Sequence, residues 1–396
     1  MPRRYLIFLL FVPAYFLSNF FRSANAVIAD DLVRDLSLSP EQLGAMSGVF
    51  FVSFALVQFP LGWALDRFGA RLTTGGLLLS SVLGCLLFAS AQTYAVLALG
   101  RVFIGLGVAG ALMGSLKTFS RAFTPQEFPA VSGVFVALGA LGLVAATAPL
   151  EFLSNTLGWR QIFVGGALAS LAASLLILLF AGQAKQIASD ARGSALDVLR
   201  NRAFWQIAFV NLCMGGSFYA YQGLWLGPYL TDGQGLGSST ASTLLLFASG
   251  ASILGFTLSG PVANRFGVVR TLTLGSSVFF ATQLALAFYD GDPTPLTFLL
   301  VLFGFSGGFN IVVFSHLRNL FDVSLTGRAF AYANFFGFVG VASFQWGLGL
   351  IVGRFEPVAS AYAPQAFQVI LLLTGILGLL SVALYAPLLV KAKKPG

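Results

Sequence analysis

Apolar runs of about twenty residues recur along nearly the whole of this 396-residue chain, and no other property limits its folding so severely. A run of that length, once helical, matches the hydrocarbon thickness of a bilayer. Inside lipid every backbone N–H and C=O must find a partner within the protein, and an α-helix does this locally. Barrel strands would instead alternate over about ten residues, and these runs do not alternate. Twelve such segments lie at 5–29, 41–65, 72–92, 94–119, 128–155, 159–182, 204–231, 239–263, 268–289, 294–318, 328–353 and 364–389. Charged side chains make up 9% of the chain and apolar ones 57%, against roughly 25% and 45–50% in an ordinary soluble domain. The expectation is an all-α membrane protein of twelve transmembrane helices, with little room for a soluble domain.

The remaining composition removes further classes. Cys85 and Cys213 both fall inside apolar runs, so neither a disulfide framework nor a cysteine metal site is expected. His316, the single histidine, cannot build a zinc or haem site by itself. The net charge of +8 comes from scattered residues rather than a basic helix face, which argues against nucleic acid as a partner. No G-x-x-x-x-G-K-[ST] loop is present, so transport driven by ATP in this chain alone is not expected. The opening MPRR and the apolar run after it imitate a signal peptide, but no small-residue cleavage pattern follows and the segment reads as an uncleaved first helix. No cofactor, no metal and no enzymatic activity are expected.

The basic residues set the orientation. With the N-terminus inside, Arg34, Arg160 and Arg354 fall outside, Arg22 and Arg101 fall within spans, and the other 17 lysines and arginines fall on the cytoplasmic side. That asymmetry predicts cytoplasmic termini, in a bacterial inner membrane. The longest polar stretch, 183–203, then reads as a cytoplasmic linker between an N-terminal six-helix bundle (1–182) and a C-terminal one (204–396). The halves also repeat each other. GWALDRFGAR (Gly62 to Arg71) follows span two and GPVANRFGVVR (Gly260 to Arg270) follows span eight; Gly62 and Gly260 stand 198 residues apart, as do Arg67 and Arg265, and Gly69 and Gly267. Such a repeat is the mark of a transporter built from two similar bundles around a central site.

At these residues the chain resembles the major facilitator superfamily. GWALDRFGAR matches its signature G-x-x-x-D-R-x-G-x-R between helices two and three, RVFIGLG (Arg101 to Gly107) resembles its helix-four motif, and GWRQIF (Gly158 to Phe163) stands where many members enter helix six. The resemblance implies two pseudo-symmetric six-helix bundles. In the second copy Asn264 replaces the acidic residue. The physical reading of the first turn agrees: Gly62 and Gly69 permit close helix approach and a tight turn, while Asp66, Arg67, Arg71 and, in the second copy, Arg265 can make ion pairs that hold one face shut and break in the other state. The alternative is a positive-inside loop that serves topology alone.

Polar groups at membrane depth are costly and mark function. Arg22 lies mid-span, and Tyr15, Ser18, Arg22 and Asn25 follow at spacings of 3, 4 and 3, on one helical face flanked by Asn19. A guanidinium facing a water-filled cavity suits a carboxylate or phosphate; the alternative is an arginine reaching the membrane surface or a distant carboxylate. In span seven, Asn211, Gln222 and Trp225 follow helical spacing beside Tyr221, and Asn310 lies in span ten; together these form a candidate pocket wall. By the resemblance, Arg101 serves proton coupling or helix packing, with backbone carbonyls or Glu151 as partner. The first span resembles the organophosphate antiporter and organic-anion symporter group, which carries an arginine at this point. Two departures stand out: Phe21 occupies the place where the symporters often have Asp, and span seven holds no second arginine.

The function expected is therefore secondary active transport of a small organic anion, a carboxylate, by alternating access, coupled to protons or to a counter-solute. The partners are an anionic or zwitterionic solute and the lipid bilayer, with a monomer as the working unit. The competing reading is a drug/proton antiporter exporting lipophilic compounds; against it, span five (GVFVALGALGLVAATAPLEF) lacks the Gly-Pro pair of that group and the spans offer no obvious carboxylate for a cation.

Overall fold

The computed structural model describes residues 3–124, 127–181, 195–291, 293–321, 323–357 and 361–391. These residues are helical almost throughout, and all twelve segments expected to span are helical. Among them nine helices are individually long and apolar enough to cross a membrane, and a pair bent by 46° at residues 146–147 makes a tenth. Of the two others, the segment at 204–231 is interrupted by π-helical turns, and that at 268–289 carries Thr271, Ser276, Thr282 and Gln283 on its buried face. The helices fall into two compact units, Met1–Ser189 and Asp190–Gly396.

The first unit contains α1 (Arg3–Ser23), α2 (Asn25–Leu36), α3 (Pro40–Arg67), α4 (Gly69–Ser90), α5 (Tyr94–Val108), α6 (Ala111–Ala122), α7 (Phe128–Ala145), α8 (Ala148–Leu157) and α9 (Trp159–Phe180). Local chemistry explains several ends. Ser39 opens α3 with a reciprocal capping box, its hydroxyl accepting from the Gln42 N–H at 3.2 Å while the Gln42 side chain accepts from the Ser39 N–H at 3.0 Å. Gly69 carries a φ of +78° between α3 and α4, a conformation that penalises any Cβ. A Cβ at Gly62 would meet no atom within 4 Å, so the close approach expected there does not occur, and only Gly69 performs the glycine role read from the sequence. The RVFIGLG segment does mediate close packing. A side chain at Gly105 would collide with Phe50 O and Ser53 Oγ of α3, and one at Gly100 would lie 2.8 Å from Phe88 N of α4. Small residues let these backbones touch, which is how helices associate where no hydrophobic force separates protein from lipid. Phe8, Phe119 and Phe135 lock α1, α6 and α7 together, with centroids 5.0–6.0 Å apart.

The second unit contains α10 (Ala195–Leu199), α11 (Arg202–Ala220), α12 (Leu226–Pro228) between π-helical turns at Tyr221–Trp225 and Tyr229–Gly233, α13 (Ser238–Phe266), α14 (Val268–Ala287), α15 (Pro293–Gly307), a 3₁₀ turn at Gly308–Ile311, α16 (Val312–Leu320), α17 (Val323–Val352), α18 (Pro364–Tyr385) and α19 (Pro387–Lys391). Within the stretch read as a linker, α10 and the start of α11 are helical; residues 182–194 lie outside the described residues. The second copy of the turn reproduces the first: Gly267 has a φ of +90° between α13 and α14. Gly304 of α15 lies so close to Ala248 O of α13 that a Cβ would collide, the counterpart of Gly105 against Phe50 O. Phe218, Phe279 and Phe303 form the aromatic core, with centroids 4.9–6.1 Å apart.

Outer faces of both units are apolar. Leu168, Leu179, Leu274 and Phe298 each expose about two-thirds of their surface, an apolar exterior that water would not tolerate and lipid requires.

Candidate functional site

Helix α1 gives way to α2 at Ala24, whose backbone stays in the helical region (φ −58°, ψ −32°), and Arg22 and Asn25 on either side of it face α3. Arg22 is 6% exposed, its guanidinium carbon 5.3 Å from the Phe54 ring centroid. Asn25, the first residue of α2, is fully buried and donates to Ser47 Oγ at 2.8 Å. Arg22 and Asn25 thus share one wall of α3, two turns apart. The other members of the expected face diverge from them. Ser18 donates to Val108 O at 3.4 Å, beside the break between α5 and α6; Asn19 bonds back to Tyr15 O at 3.0 Å; and the Tyr15 ring stacks on Phe135 of α7 at 5.2 Å.

Arg101 is fully buried against the junction of α1 and α2. Its Nη1 donates to Phe21 O at 2.8 Å, and its guanidinium carbon stands 4.5 Å from the Phe50 ring. Of the two partners named for it from the sequence, it takes the backbone carbonyl. No ion pair joins it to Glu151, whose carboxylate accepts from Asn155 Nδ2 at 2.5 Å on α8.

The second unit presents neutral groups. Tyr221, Gln222 and Trp225 all sit in the first π-helical turn and reach three different neighbours. Tyr221 meets Thr374 Oγ1 at 3.0 Å on α18, Gln222 donates to Ser249 Oγ at 3.2 Å on α13, and the Trp225 indole donates to Gln345 O at 3.1 Å on α17. Asn211 donates to Ala333 O at 2.7 Å and, with Asn310, flanks Gly215. The sequence reading missed the centre of this network. Thr374 donates to Gln283 Oε1 at 2.6 Å and Gln283 donates to Ser217 Oγ at 3.4 Å, so Ser217, Gln283, Thr374 and Tyr221 tie α11, α14 and α18 together. Gln345 is fully buried with neither amide atom bonded, and Gln222 Oε1 is likewise buried and unbonded. A glutamine in an apolar run, such as Gln283 in FFATQLALA, is the signal that would have pointed here.

Of the turn residues, the Asp66 side chain lies outside the described residues. Arg67 covers Trp63 with its guanidinium 5.6 Å from the ring, Arg265 stands 5.6 Å from the Phe266 ring, and Arg71 Nε donates to Leu178 O at 2.6 Å, holding a carbonyl of the last turn of α9. At the opposite end of the first unit a further cluster went unread. Asp35 accepts from the Trp159 indole at 3.0 Å and from Arg160 at 2.8 Å, Arg160 also donates to Ala91 O at 3.1 Å, and Ser154 donates to Asp31 at 3.0 Å. The Trp159 hydrogen bond, with the Arg160 guanidinium beside it, holds the Asp35 carboxyl below the usual carboxylate range. The GWRQIF segment therefore clamps α9 to α2 and α4 in this unit.

Comparison with known proteins agrees with this architecture. The chain is 25% identical to a probable sulfoacetate transporter of Cupriavidus necator, over 72% of this chain and 70% of that protein. It is 26% identical to the cis,cis-muconate transport protein of Acinetobacter baylyi, over 79% of each. The fold matches a bacterial homologue of the human lysosomal transporter Spinster, solved inward-facing and occupied, with a TM-score of 0.78 and 17% identity, covering 97% of this chain and 96% of the other. Residues 11–345 match the Major Facilitator Superfamily, and the chain belongs to that superfamily as a multi-pass membrane transporter.

Proposed function

We propose that this chain moves a small organic anion, a carboxylate, across the membrane by alternating access. The observation that carries the reading is Arg22, a guanidinium almost wholly buried beside a helix break at membrane depth, with Asn25 on the same wall of α3. An arginine so placed has a planar donor fork that fits a carboxylate. Tyr15, Ser18 and Asn19 remain candidate solute contacts of the first unit, and Asn211, Tyr221, Gln222, Trp225 and Asn310 are the neutral candidates of the second, each unit taken by itself. The cations Arg22 and Arg101 within the spans disfavour a lipophilic cation as cargo. The names of the relatives, for sulfoacetate and muconate carriers, support the same substrate class.

In this reading Asp66, Arg67, Arg71 and Arg265 gate one face, and Arg101 and Glu151 belong to the coupling machinery, with protons or a counter-solute moving in compensation. The protein works as a monomer in a bacterial inner membrane with both termini cytoplasmic. A thermal-shift panel of mono- and dicarboxylates, sugar acids, amino acids, phosphate esters and cationic dyes tests the class, since a specific ligand stabilises by mass action. A carboxylate is expected to raise Tm; stabilisation by cationic dyes and by no anion would reverse the assignment.

A further inference from the structure

A cavity of about 600 Å³ lies beside the second copy of the repeated turn, inside the second unit. Asn264, Arg270, His316 and Asn319 form its polar side, with Phe266 and Leu389 on its apolar side. No carboxylate lines it among the described residues.

Three independent features give this cavity an affinity for anions. The first is backbone. Gly267 N–H bonds Ala263 O and Thr271 N–H bonds Gly267 O, so the N–H groups of Val268, Val269 and Arg270 are the first-turn donors of α14 that have no helical acceptor ahead of them. All three residues line the cavity. The second is side-chain vacancy: Asn264, Arg270 and Asn319 make no hydrogen bond or ion pair among the described residues. The third is His316, nine-tenths buried, whose Nδ1 lies 2.7 Å from the Tyr385 hydroxyl. In the tautomer whose Nδ1 accepts from that phenol, the imidazole carries its own proton on Nε2. Nε2–H is then a donor with no acceptor among the described residues, on a ring that lines the cavity.

We propose that this cavity binds a phosphate-bearing anion, its oxygens taken by Arg270, His316 Nε2–H, Asn319 and the first-turn amides of α14, while Phe266 and Leu389 take the carbon chain it carries. The helix start, an arginine and neutral donors without a neighbouring carboxylate make up the chemistry of a phosphate cradle. The apolar wall favours an anionic phospholipid headgroup over a free phosphate ester. This site is separate from the proposed solute site at Arg22.

The test uses the delipidated full chain in detergent, with lipid retention read by native mass spectrometry and Tm read in parallel. Phosphatidylglycerol, phosphatidylcholine, glycerol 3-phosphate and inorganic phosphate are the probes. Phosphatidylglycerol is expected to stay bound and raise Tm, and phosphatidylcholine to do neither. Arg270→Gln and Asn319→Ala, both at exposed positions, are expected to weaken phosphatidylglycerol binding, Arg270→Gln by about tenfold, without changing the lipid-free Tm. His316→Phe, which keeps the ring but loses the donor, should act in the same direction. Arg202→Gln removes one charge away from the cavity and should leave binding unchanged. An Arg270-dependent Tm shift with glycerol 3-phosphate or inorganic phosphate would identify the same cradle with a soluble occupant. Wild-type phosphatidylglycerol retention in both Arg270→Gln and Asn319→Ala, or an equal loss in Arg202→Gln, would overturn the proposal.

Discussion

The two units share a set of structural positions and fill them with opposite chemistry. The turn glycines Gly69 and Gly267 both have positive φ, and Gly105 and Gly304 both bring a helix onto the backbone of its neighbour, at Phe50 O and Ala248 O. The first span breaks at Ala24, and 198 residues later Gln222 lies in a π-helical turn; α5 gives way to α6 at residues 109–110, and the 3₁₀ turn at Gly308–Ile311 interrupts the corresponding span. Broken helices at matched positions expose backbone groups that a membrane tolerates only when protein or a water-lined cavity satisfies them. In the first unit cations stand at the first of these breaks, where Arg101 donates to Phe21 O and Arg22 lies close by, while Ser18, Gln58 and Thr74 donate to Val108 O, Ala109 O and Gly110 O at the second. In the second unit the two matched breaks, among the described residues, present amides, hydroxyls and an indole, and the one acidic group, Asp232, lies in the separate π-helical turn at Tyr229–Gly233. The duplicated frame supplies irregular backbone twice, and what differs between the units is the pair of arginines at the first break, which the matched turn of the second unit replaces with neutral hydrogen-bonding groups.

Substitutions separate the shared frame from the divided chemistry. The largest effect is expected where the frame is tightest. Gly105→Leu and Gly304→Leu should each destabilise by about 3 kcal/mol through overpacking, while Gly62→Ala, where a Cβ meets nothing within 4 Å, should leave Tm near wild type. Comparable losses at Gly105 and Gly304 would establish that the repeat is energetic as well as geometric; a loss at only one would break the parallel. Next comes the neutral network. Thr374→Val keeps the shape but leaves Gln283 Oε1 and the Tyr221 hydroxyl without their partner, and should cost about 1 kcal/mol in the second unit, read as a lower Tm in detergent. A Tm equal to wild type would show the network to be energetically idle.

The smallest effect belongs to the Asp35 clamp of the first unit, which has no counterpart read in the second. Because the Asp35 carboxyl is held below its ordinary range, its contribution is present above the unfolded value and fades as acid protonates it. Tm should therefore fall on acidification below about pH 4, and Asp35→Asn should flatten that fall. Partial exposure limits the effect to less than about 1 kcal/mol. An identical acid profile for Asp35→Asn and wild type would assign the acid sensitivity to other carboxylates.

What the sequence made readable follows from contrast. Arg22 and Arg101 stood out because a charge inside an apolar run is rare and costly, and the repeated turn stood out because its spacing recurs at half the chain length. Gln283, Thr374 and Gln345 did not, since neutral polar residues are common in spans, and Thr374 lies 91 residues from Gln283 and 153 from Tyr221. The helix breaks were invisible for a related reason: π-helical and 3₁₀ turns depend on what neighbouring helices offer the freed carbonyls, as Arg101 does for Phe21. The even helical face drawn through Tyr15, Ser18, Arg22 and Asn25 assumed a continuous helix. In the structure the residues of that face go to different neighbours, the Tyr15 ring onto Phe135 of α7 and Asn25 to Ser47 of α3. The GWRQIF segment is visible as a motif, but its partner Asp35 lies 124 residues from Trp159 and nothing in the sequence links the two.

The central claim is that the first unit supplies the charge that recognises the solute, and binding affinity tests it most directly. The carboxylate selected by the thermal-shift panel is titrated against wild type, Arg22→Lys, Arg22→Ala and Gln222→Ala, with Tm recorded for each variant. Arg22→Lys keeps the charge and loses the planar fork, so affinity should fall by about 1–3 kcal/mol. Arg22→Ala should abolish binding in a folded protein, and Gln222→Ala should weaken it without abolishing it. Wild-type affinity in a well-folded Arg22→Ala protein would place the anion site elsewhere and contradict the account.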